Sequence, residues 1–239
     1  WIMLTAWRRP EACPAIAVSE AERRNLWRRA LVAIVPPLAL IVLVLGSIIT
    51  GTATATESSA VGALGACVIA ALRGRFRRGL VLDVARSTFF ISTMIFAILI
   101  GATVFALVFR GLGGDHVVAR FVTNLPGGVN GAIFFVLAVI FFLGFLVDTF
   151  EIIFIVIPIF APVLIVLGAD PVLFGVLVAI VLQTSYLTPP FGFAIFYLQG
   201  VAKDIAITTV YRGVLPFVAL QLLAVALVWF FPALATWLP

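Results

Sequence analysis

Two carboxylic side chains that interrupt a long apolar stretch are the first candidates for chemistry. Asp148 and Glu151 are three residues apart, so a helix would place them on one face, and they lie between the apolar runs 131–147 and 152–167. Ionisable groups at membrane depth are costly and are therefore functional candidates. The pair predicts a cavity for a cation or a substrate. An alternative is that Asp148 or Thr149 caps the free N–H groups of the second run.

A second candidate combines hydroxyl side chains, two prolines and a glycine: Thr184, Ser185, Thr188, Pro189, Pro190 and Gly192. Two consecutive prolines cannot maintain the helical hydrogen-bond ladder, so a helix over 172–198 must unwind at its middle. Unwinding exposes carbonyl groups, which suit Na⁺, and N–H groups, which suit a carboxylate. The alternative is a kink that only shapes packing. Gly144 would let its own backbone approach this stretch, although a packing glycine is also possible.

The composition indicates where these groups lie. Of 239 residues, 64% are hydrophobic and 10% are charged, and the mean hydropathy is +1.28. A soluble domain has about 45–50% apolar and about 25% charged residues. The sequence therefore predicts an integral membrane protein. It excludes a cytosolic enzyme, a secreted disulfide scaffold and a nucleic-acid-binding domain, so the net charge of +5 is better explained by membrane topology.

Helices must position the candidate groups in the bilayer, whose core of about 30 Å needs about 20 apolar residues. The runs 131–147 and 152–167 are short for untilted spans and predict a re-entrant helical hairpin, followed by a discontinuous helix over 172–198. We predict four spanning helices, at 30–50, 57–72, 87–109 and 214–237, and two interfacial segments, at 74–86 and 115–125. The fold class is an all-α polytopic membrane protein.

Basic residues predict the orientation. Thirteen Lys and Arg residues fall in segments assigned to the cytoplasm, against Arg110 and Arg120 outside. The chain begins at Trp1 without an initiator Met, and we expect it to be part of a longer protein. We divide it into 1–29, the end of a preceding helix and a cytoplasmic loop; 30–86, scaffold helices and an interfacial arm; 87–128, a membrane helix and an outer amphipathic segment; 129–200, a transport unit; and 201–239, a cytoplasmic amphipathic segment and the last membrane helix.

Other polar residues favour structural roles. Glu57 follows a threonine-rich turn and is typical of a capped helix start, and His116 lies in an outer interfacial segment without a second metal ligand. Cys13 and Cys67 suit neither a metal site nor a disulfide framework. The sequence contains no P-loop and no plausible nucleophile–histidine–acid set. We therefore expect no enzyme, no organic cofactor and no transition metal.

Four segments resemble the large membrane subunit of TRAP (tripartite ATP-independent periplasmic) transporters. Residues 51–62 are similar to its G-x-x-T-P-T-E-A-A-A-V signature, with Ala55 in place of Pro. Residues 144–148 resemble its G-x-x-x-D hairpin tip, 185–192 its G-L-I-T-P-P-V-G loop and 211–217 the lead into its last helix. The resemblance covers the C-terminal half of a full subunit and is closest to the branch labelled for mannitol or chloroaromatic compounds.

The resemblance implies an elevator-type fold with inverted repeats, of which this chain supplies the second. It implies Na⁺-coupled uptake of a small organic acid across the bacterial inner membrane. The implied partners are a small membrane subunit, a periplasmic binding protein, the N-terminal half of the subunit and membrane lipid, with no nucleic acid. The implied Na⁺ site comprises Gly144, Ser185, Thr188 and Phe191, with Ser185 in place of a more usual Gly. Substrate-cavity candidates are Asp148, Glu151, Thr184, Pro189, Pro190 and Gly192.

We expect some helices to move during transport, and two other functions are alternatives to transport of an organic acid. We expect 131–167 and 172–198 to move as a transport unit, with 30–72 and 214–237 mainly in the scaffold. One alternative is a cation/proton antiporter in which Asp148 and Glu151 carry protons. The other is an intramembrane enzyme that uses the same two acids as an acid/base or metal pair.

Overall fold

The computed structural model describes residues 2–8, 11, 20–188, 195, 198 and 205–237. The predicted site residues Pro189, Pro190, Phe191 and Gly192 lie outside the described residues. Within the described ranges the regular structure is helical: α1 (Ile2–Arg8), α2 (Glu20–Ile49), α3 (Ala55–Leu72), α4 (Arg78–Gly111), α5 (Gly114–Thr123), α6 (Gly128–Leu143), α7 (Thr149–Val166), α8 (Pro171–Leu187), α9 (Ile207–Phe230) and α10 (Ala233–Thr236).

Five helices in the described part of the chain are long and apolar enough to cross a membrane: Asn25–Ile49 within α2, then α3, α4, α7 and α9. Helices α6 and α8 are apolar but shorter, with 16 and 17 residues. Large apolar side chains such as Phe89 and Phe96 are exposed, as expected of groups that face lipid. This confirms the prediction of an all-α polytopic membrane protein.

The boundaries of two predicted segments differ from the structure. The sequence separated an arm at 74–86 from a span at 87–109, whereas α4 is one unbroken helix of 34 residues, about 51 Å long. Polar side chains at 78–86 change the surface of a helix without interrupting its backbone bonds. The last helix already begins at Ile207 and ends at Phe230, before Pro232. Helix α5 agrees with the separate outer segment predicted at 115–125.

The chain forms two compact units, Trp1–Phe90 and Ile91–Pro239. In the first, small residues of α3 pack against α2. Ser58 is fully buried and its hydroxyl lies 2.8 Å from that of Ser47. A Cβ atom at Gly65 would overlap the side chain of Leu40. Such close packing of small residues is typical of interfaces between membrane helices.

The start of α3 is a capping box. Glu57 Oε2 accepts a hydrogen bond from the backbone N–H of Thr54 at 2.8 Å, and Thr54 Oγ1 accepts one from the N–H of Glu57 at 3.3 Å. The structural role predicted for Glu57 is thereby confirmed.

The core of the second unit joins the hairpin helices to α8 and α9. Ile140 of α6, Leu164 of α7 and Leu177 of α8 are fully buried at its centre. From α9, Val225 and Trp229 pack against this core. Helix α9 packs along α8 and lies in the same compact unit as α6 and α7.

Candidate functional site

The end of α6 touches the end of α8. Gly144 caps the C-terminus of α6, and a Cβ atom there would overlap the Oγ of Ser185 and lie 2.5 Å from its Cβ. The φ of Gly144 is −61°, which any residue adopts, so glycine is required here by the close approach and not by the backbone conformation. Two of the predicted Na⁺-site residues are therefore in direct contact.

Three hydroxyl groups line the last turns of α8. The hydroxyl of Thr184 donates to the carbonyl of Ile180 at 2.8 Å, that of Ser185 to Val181 at 3.2 Å, and that of Thr188 to Thr184 at 2.7 Å. Thr184 and Ser185 are buried and Thr188 is half-buried. Because each proton is engaged within the helix, each oxygen keeps lone pairs for a cation or a donor.

Helix α8 ends where the sequence predicts a break. Thr188 has an extended backbone, with φ −95° and ψ 131°, and its N–H donates to the carbonyl of Ser185 at 3.2 Å. Pro189 follows in the sequence and disfavours a helical conformation for the residue before it. The 17-residue α8 therefore ends here, and the carbonyl groups of its last turn lack helical donors.

The turn between α6 and α7 is capped by Asp148. Its Oδ1 accepts a hydrogen bond from the N–H of Thr149 at 2.7 Å, and its carbonyl accepts one from the N–H of Glu151 at 3.1 Å. Its φ of −70° and ψ of 154° are typical of an N-cap. The capping role proposed for Asp148 is confirmed, and it leaves the second carboxylate oxygen for other partners.

Glu151 differs from Asp148 in its surroundings. It is half-buried, and its carboxylate has no hydrogen-bond or ion-pair partner among the described residues. A π-helical turn, Ile152–Val156, follows immediately, and such turns occur frequently at functional sites. Glu151 therefore stays a predicted cavity residue.

The electrostatics around the contact of Gly144 with Ser185 favour a cation. The C-terminal ends of α6 and α8 meet here, and each helix carries a partial negative charge at that end. The sequence from 121 to 202 contains no Lys, Arg or His, but it contains Asp148, Glu151 and Asp170. The partial charges of two helices thus have no basic side chain from this region to balance them. Within the described residues, no cluster of three or more His, Cys, Asp or Glu forms a metal site.

Gln221 in α9 is a further buried polar residue, and it is not among the residues predicted for the site. Its Oε1 is a buried side-chain oxygen with no hydrogen-bond partner in the described part of the chain. It lies on the same helical face as Val218 and Val225, three residues before and four residues after it. A lone amide within the apolar run that follows Leu215 was the signal in the sequence.

An aromatic contact joins α6 to α9. The rings of Phe134, near the start of α6, and Trp229, near the end of α9, have centroids 6.4 Å apart.

The fold and the site together define an all-α polytopic membrane protein in which the C-terminal ends of α6 and α8 meet. The family model described as the tripartite ATP-independent periplasmic transporter, DctM component, matches residues 2–234. The chain belongs to this family, as its sequence motifs predicted.

Three relatives illustrate the similarity. The ectoine/5-hydroxyectoine TRAP transporter large permease protein UehC of Ruegeria pomeroyi is 34% identical over 92% of this chain and 50% of its own length. The sialic acid TRAP transporter large permease protein SiaM of Vibrio cholerae is 27% identical over 83% of this chain and 46% of its own. The C4-dicarboxylate TRAP transporter large permease protein DctM of Rhodobacter capsulatus is 28% identical over 100% of this chain and 54% of its own.

The chain spans about half the length of the curated relatives that it matches. All three are named as transporter permeases and none as an enzyme, which agrees with the prediction that the chain is not an enzyme.

Proposed function

We propose that the chain forms half of a permease that couples the uptake of a small organic acid to Na⁺. The observation that carries the proposal is the contact between Gly144 and Ser185, which brings two helix C-termini together. A monovalent cation at this point balances their partial charges, because no basic side chain from 121–202 does so. The Na⁺ ligands in this account are Gly144, Ser185, Thr188 and Phe191, the last of which lies outside the described residues.

The hydroxyl groups of α8 support this assignment. Ser185 and Thr188 donate their protons to helix carbonyls, so their oxygens face any ligand as acceptors only. Hard cations such as Na⁺ are bound by oxygen ligands of this kind, whereas soft metals select thiolates. The carbonyl groups of the last turn of α8 are the other oxygen donors at this position.

The proposed substrate is a carboxylate, since the relatives are named for C4-dicarboxylate, sialic acid and ectoines. A carboxylate is repelled by the negative ends of α6 and α8 unless a cation occupies the site first. Bound Na⁺ therefore favours substrate binding, and by linkage substrate favours Na⁺ binding by the same factor. In this account the substrate cavity is lined by Asp148, Glu151, Thr184, Pro189, Pro190 and Gly192.

The mechanism that we propose is alternating access. The hairpin α6–α7 and α8 move as one transport unit, while α2, α3 and α9 belong mainly to the scaffold. The proposed partners are the other half of the subunit, a small membrane subunit and a periplasmic binding protein. The proposed location is the bacterial inner membrane.

Uptake into proteoliposomes tests the proposal. The whole large subunit, its small partner and the binding protein are reconstituted, and uptake of organic acids is compared under inward Na⁺, K⁺ and proton gradients. The proposal predicts uptake with Na⁺ only, which is lost without the binding protein. Uptake driven by a pH gradient and indifferent to Na⁺ would instead support the antiporter, whose proton carriers are Asp148 and Glu151.

A further inference from the structure

A basic cavity in the first compact unit has no part in the proposed transport site. It has a volume of about 810 Å³ and lies between the beginning of α2 and the end of α3. Asn25 and four arginines line it: Arg28, Arg29, Arg73 and Arg75. None of the described residues that line it is acidic. Four like charges around one cavity indicate an anionic occupant.

A proline in α2 explains how Arg73 is fixed at this cavity. Pro36 lies inside α2 and has no N–H, so the carbonyl of Val32, four residues earlier, loses its helical donor. The guanidinium group of Arg73 donates to this carbonyl at 2.7 Å. Pro37 likewise leaves the carbonyl of Ala33 without its helical donor, and Ala33 also lines the cavity. The proline pair therefore anchors an arginine of α3 on the wall formed by α2.

The turn at the end of α3 fixes the backbone of Arg75, a second arginine that lines the cavity. Gly74 has a φ of +64°, which glycine adopts without steric cost. The N–H of Gly74 donates to Ala71 and that of Arg75 to Ala70, both at 2.9 Å, which is the Schellman pattern of a helix end. Arg73 and Arg75 therefore lie on either side of a defined turn. The basic cavity has an ordered backbone on both of its walls.

The position of the cavity along α2 identifies the chemistry of its occupant. Arg28 and Arg29 precede the apolar run 30–49, and Val32 is 67% exposed at the start of that run. The cavity thus lies at the boundary between the polar and apolar parts of the helix, where lipid phosphates lie. Basic pockets between membrane helices bind anionic headgroups. We propose that this basic cavity binds the phosphate of an anionic phospholipid, whose acyl chains pack beside α2.

The test uses the purified whole large subunit in detergent, with bound lipid counted by native mass spectrometry. Phosphatidylglycerol, phosphatidylcholine and inorganic phosphate are titrated separately. We expect retention of phosphatidylglycerol to weaken about thirtyfold in the R29Q/R75Q variant, because each arginine near a membrane surface contributes about fivefold. The R77Q/R78Q variant is the matched control, since it loses the same charge from residues that do not line the cavity. We expect it to bind like the wild type.

Each other outcome overturns the proposal. Equal weakening in both variants would show unspecific attraction to positive charge. Equal retention of phosphatidylcholine and phosphatidylglycerol would exclude selection for an anionic headgroup, and binding of inorganic phosphate as tight as that of the lipid would assign the cavity to a soluble anion. Unchanged binding in R29Q/R75Q would exclude the cavity. If that variant does not fold, the single R75Q variant replaces it with an expected loss of about fivefold.

Discussion

Gly144 and Ser185 lie so close together that the space between them excludes a single methyl group. They are 41 positions apart in the sequence, one at the end of α6 and the other in the last turn of α8. Their contact brings the carbonyl ends of two short helices to one point. It is the structural basis of the proposed cation site, and it makes the site sensitive to the smallest substitution at Gly144.

The Gly144→Ala substitution tests this contact. The added Cβ overlaps Ser185, so α6 or α8 must shift, which costs about 1–3 kcal/mol for an overpacked site. We expect a lower unfolding temperature and loss of Na⁺-driven uptake. Gly175→Ala in α8 is the control, because nothing lies within 4 Å of a Cβ there. Gly175→Ala should stabilise α8. Equal effects of the two substitutions would contradict the importance of the contact between Gly144 and Ser185.

Thr188→Val tests the hydroxyl ligand. Valine keeps the shape of threonine but removes the oxygen whose proton is held by the carbonyl of Thr184. Loss of one polar contact to a charged group costs about 1.5–3 kcal/mol, so the Na⁺ concentration for half-maximal uptake should rise about tenfold or more. Thr188→Ser keeps the hydroxyl and should stay near the wild-type value. A Thr188→Val protein with unchanged Na⁺ dependence would remove Thr188 from the site.

Two substitutions of Asp148 separate the effect of its capping hydrogen bond from the effect of its charge. Asp148→Ala removes the acceptor for the N–H of Thr149 and should lower the free energy of unfolding by about 1 kcal/mol. Asp148→Asn keeps an acceptor oxygen and should retain most of that stability. Chemical unfolding of both variants in the same micelles measures the difference. Equal losses would show that the charge of Asp148, and not its capping bond, stabilises the hairpin.

Gln221→Leu exchanges an unpartnered polar group for an apolar one. Because a buried unsatisfied oxygen costs about 1–3 kcal/mol, the variant should have a higher unfolding temperature than the wild type. If the oxygen also contacts the transported species, uptake falls while stability rises. Gln183→Leu is the control, since Gln183 is exposed on α8. A drop in the unfolding temperature of Gln221→Leu would show that the amide is satisfied in the membrane.

The break in α8 could be predicted from sequence because its cause is local. Proline restricts the residue before it, and Thr188 has the extended backbone that this restriction requires. The cap at Asp148 and the capping box at Thr54 and Glu57 are local in the same way. Each of these features depends on residues within three positions of one another, so the sequence alone was sufficient to predict them.

The packing of the last helix could not be predicted, because its cause is not local. Helix α9 is apolar on most of its faces, so no stripe in the sequence distinguishes a partner helix from lipid. The same limit applies to the bond between Arg73 and the carbonyl of Val32, which joins residues 41 positions apart. The continuity of α4 was missed for another reason, since polar residues at 78–86 resemble a separate interfacial segment.

Direct Na⁺ binding tests the central claim, the cation site at the contact of Gly144 and Ser185. The unfolding temperature of the whole transporter is measured in nanodiscs while Na⁺ replaces choline at constant ionic strength. A ligand at 100 times its dissociation constant stabilises the folded state by about 2.7 kcal/mol. The account predicts a rise with Na⁺ that Thr188→Val shifts to higher concentration. Identical unfolding in Na⁺ and choline, or an unshifted response in the variant, would contradict it.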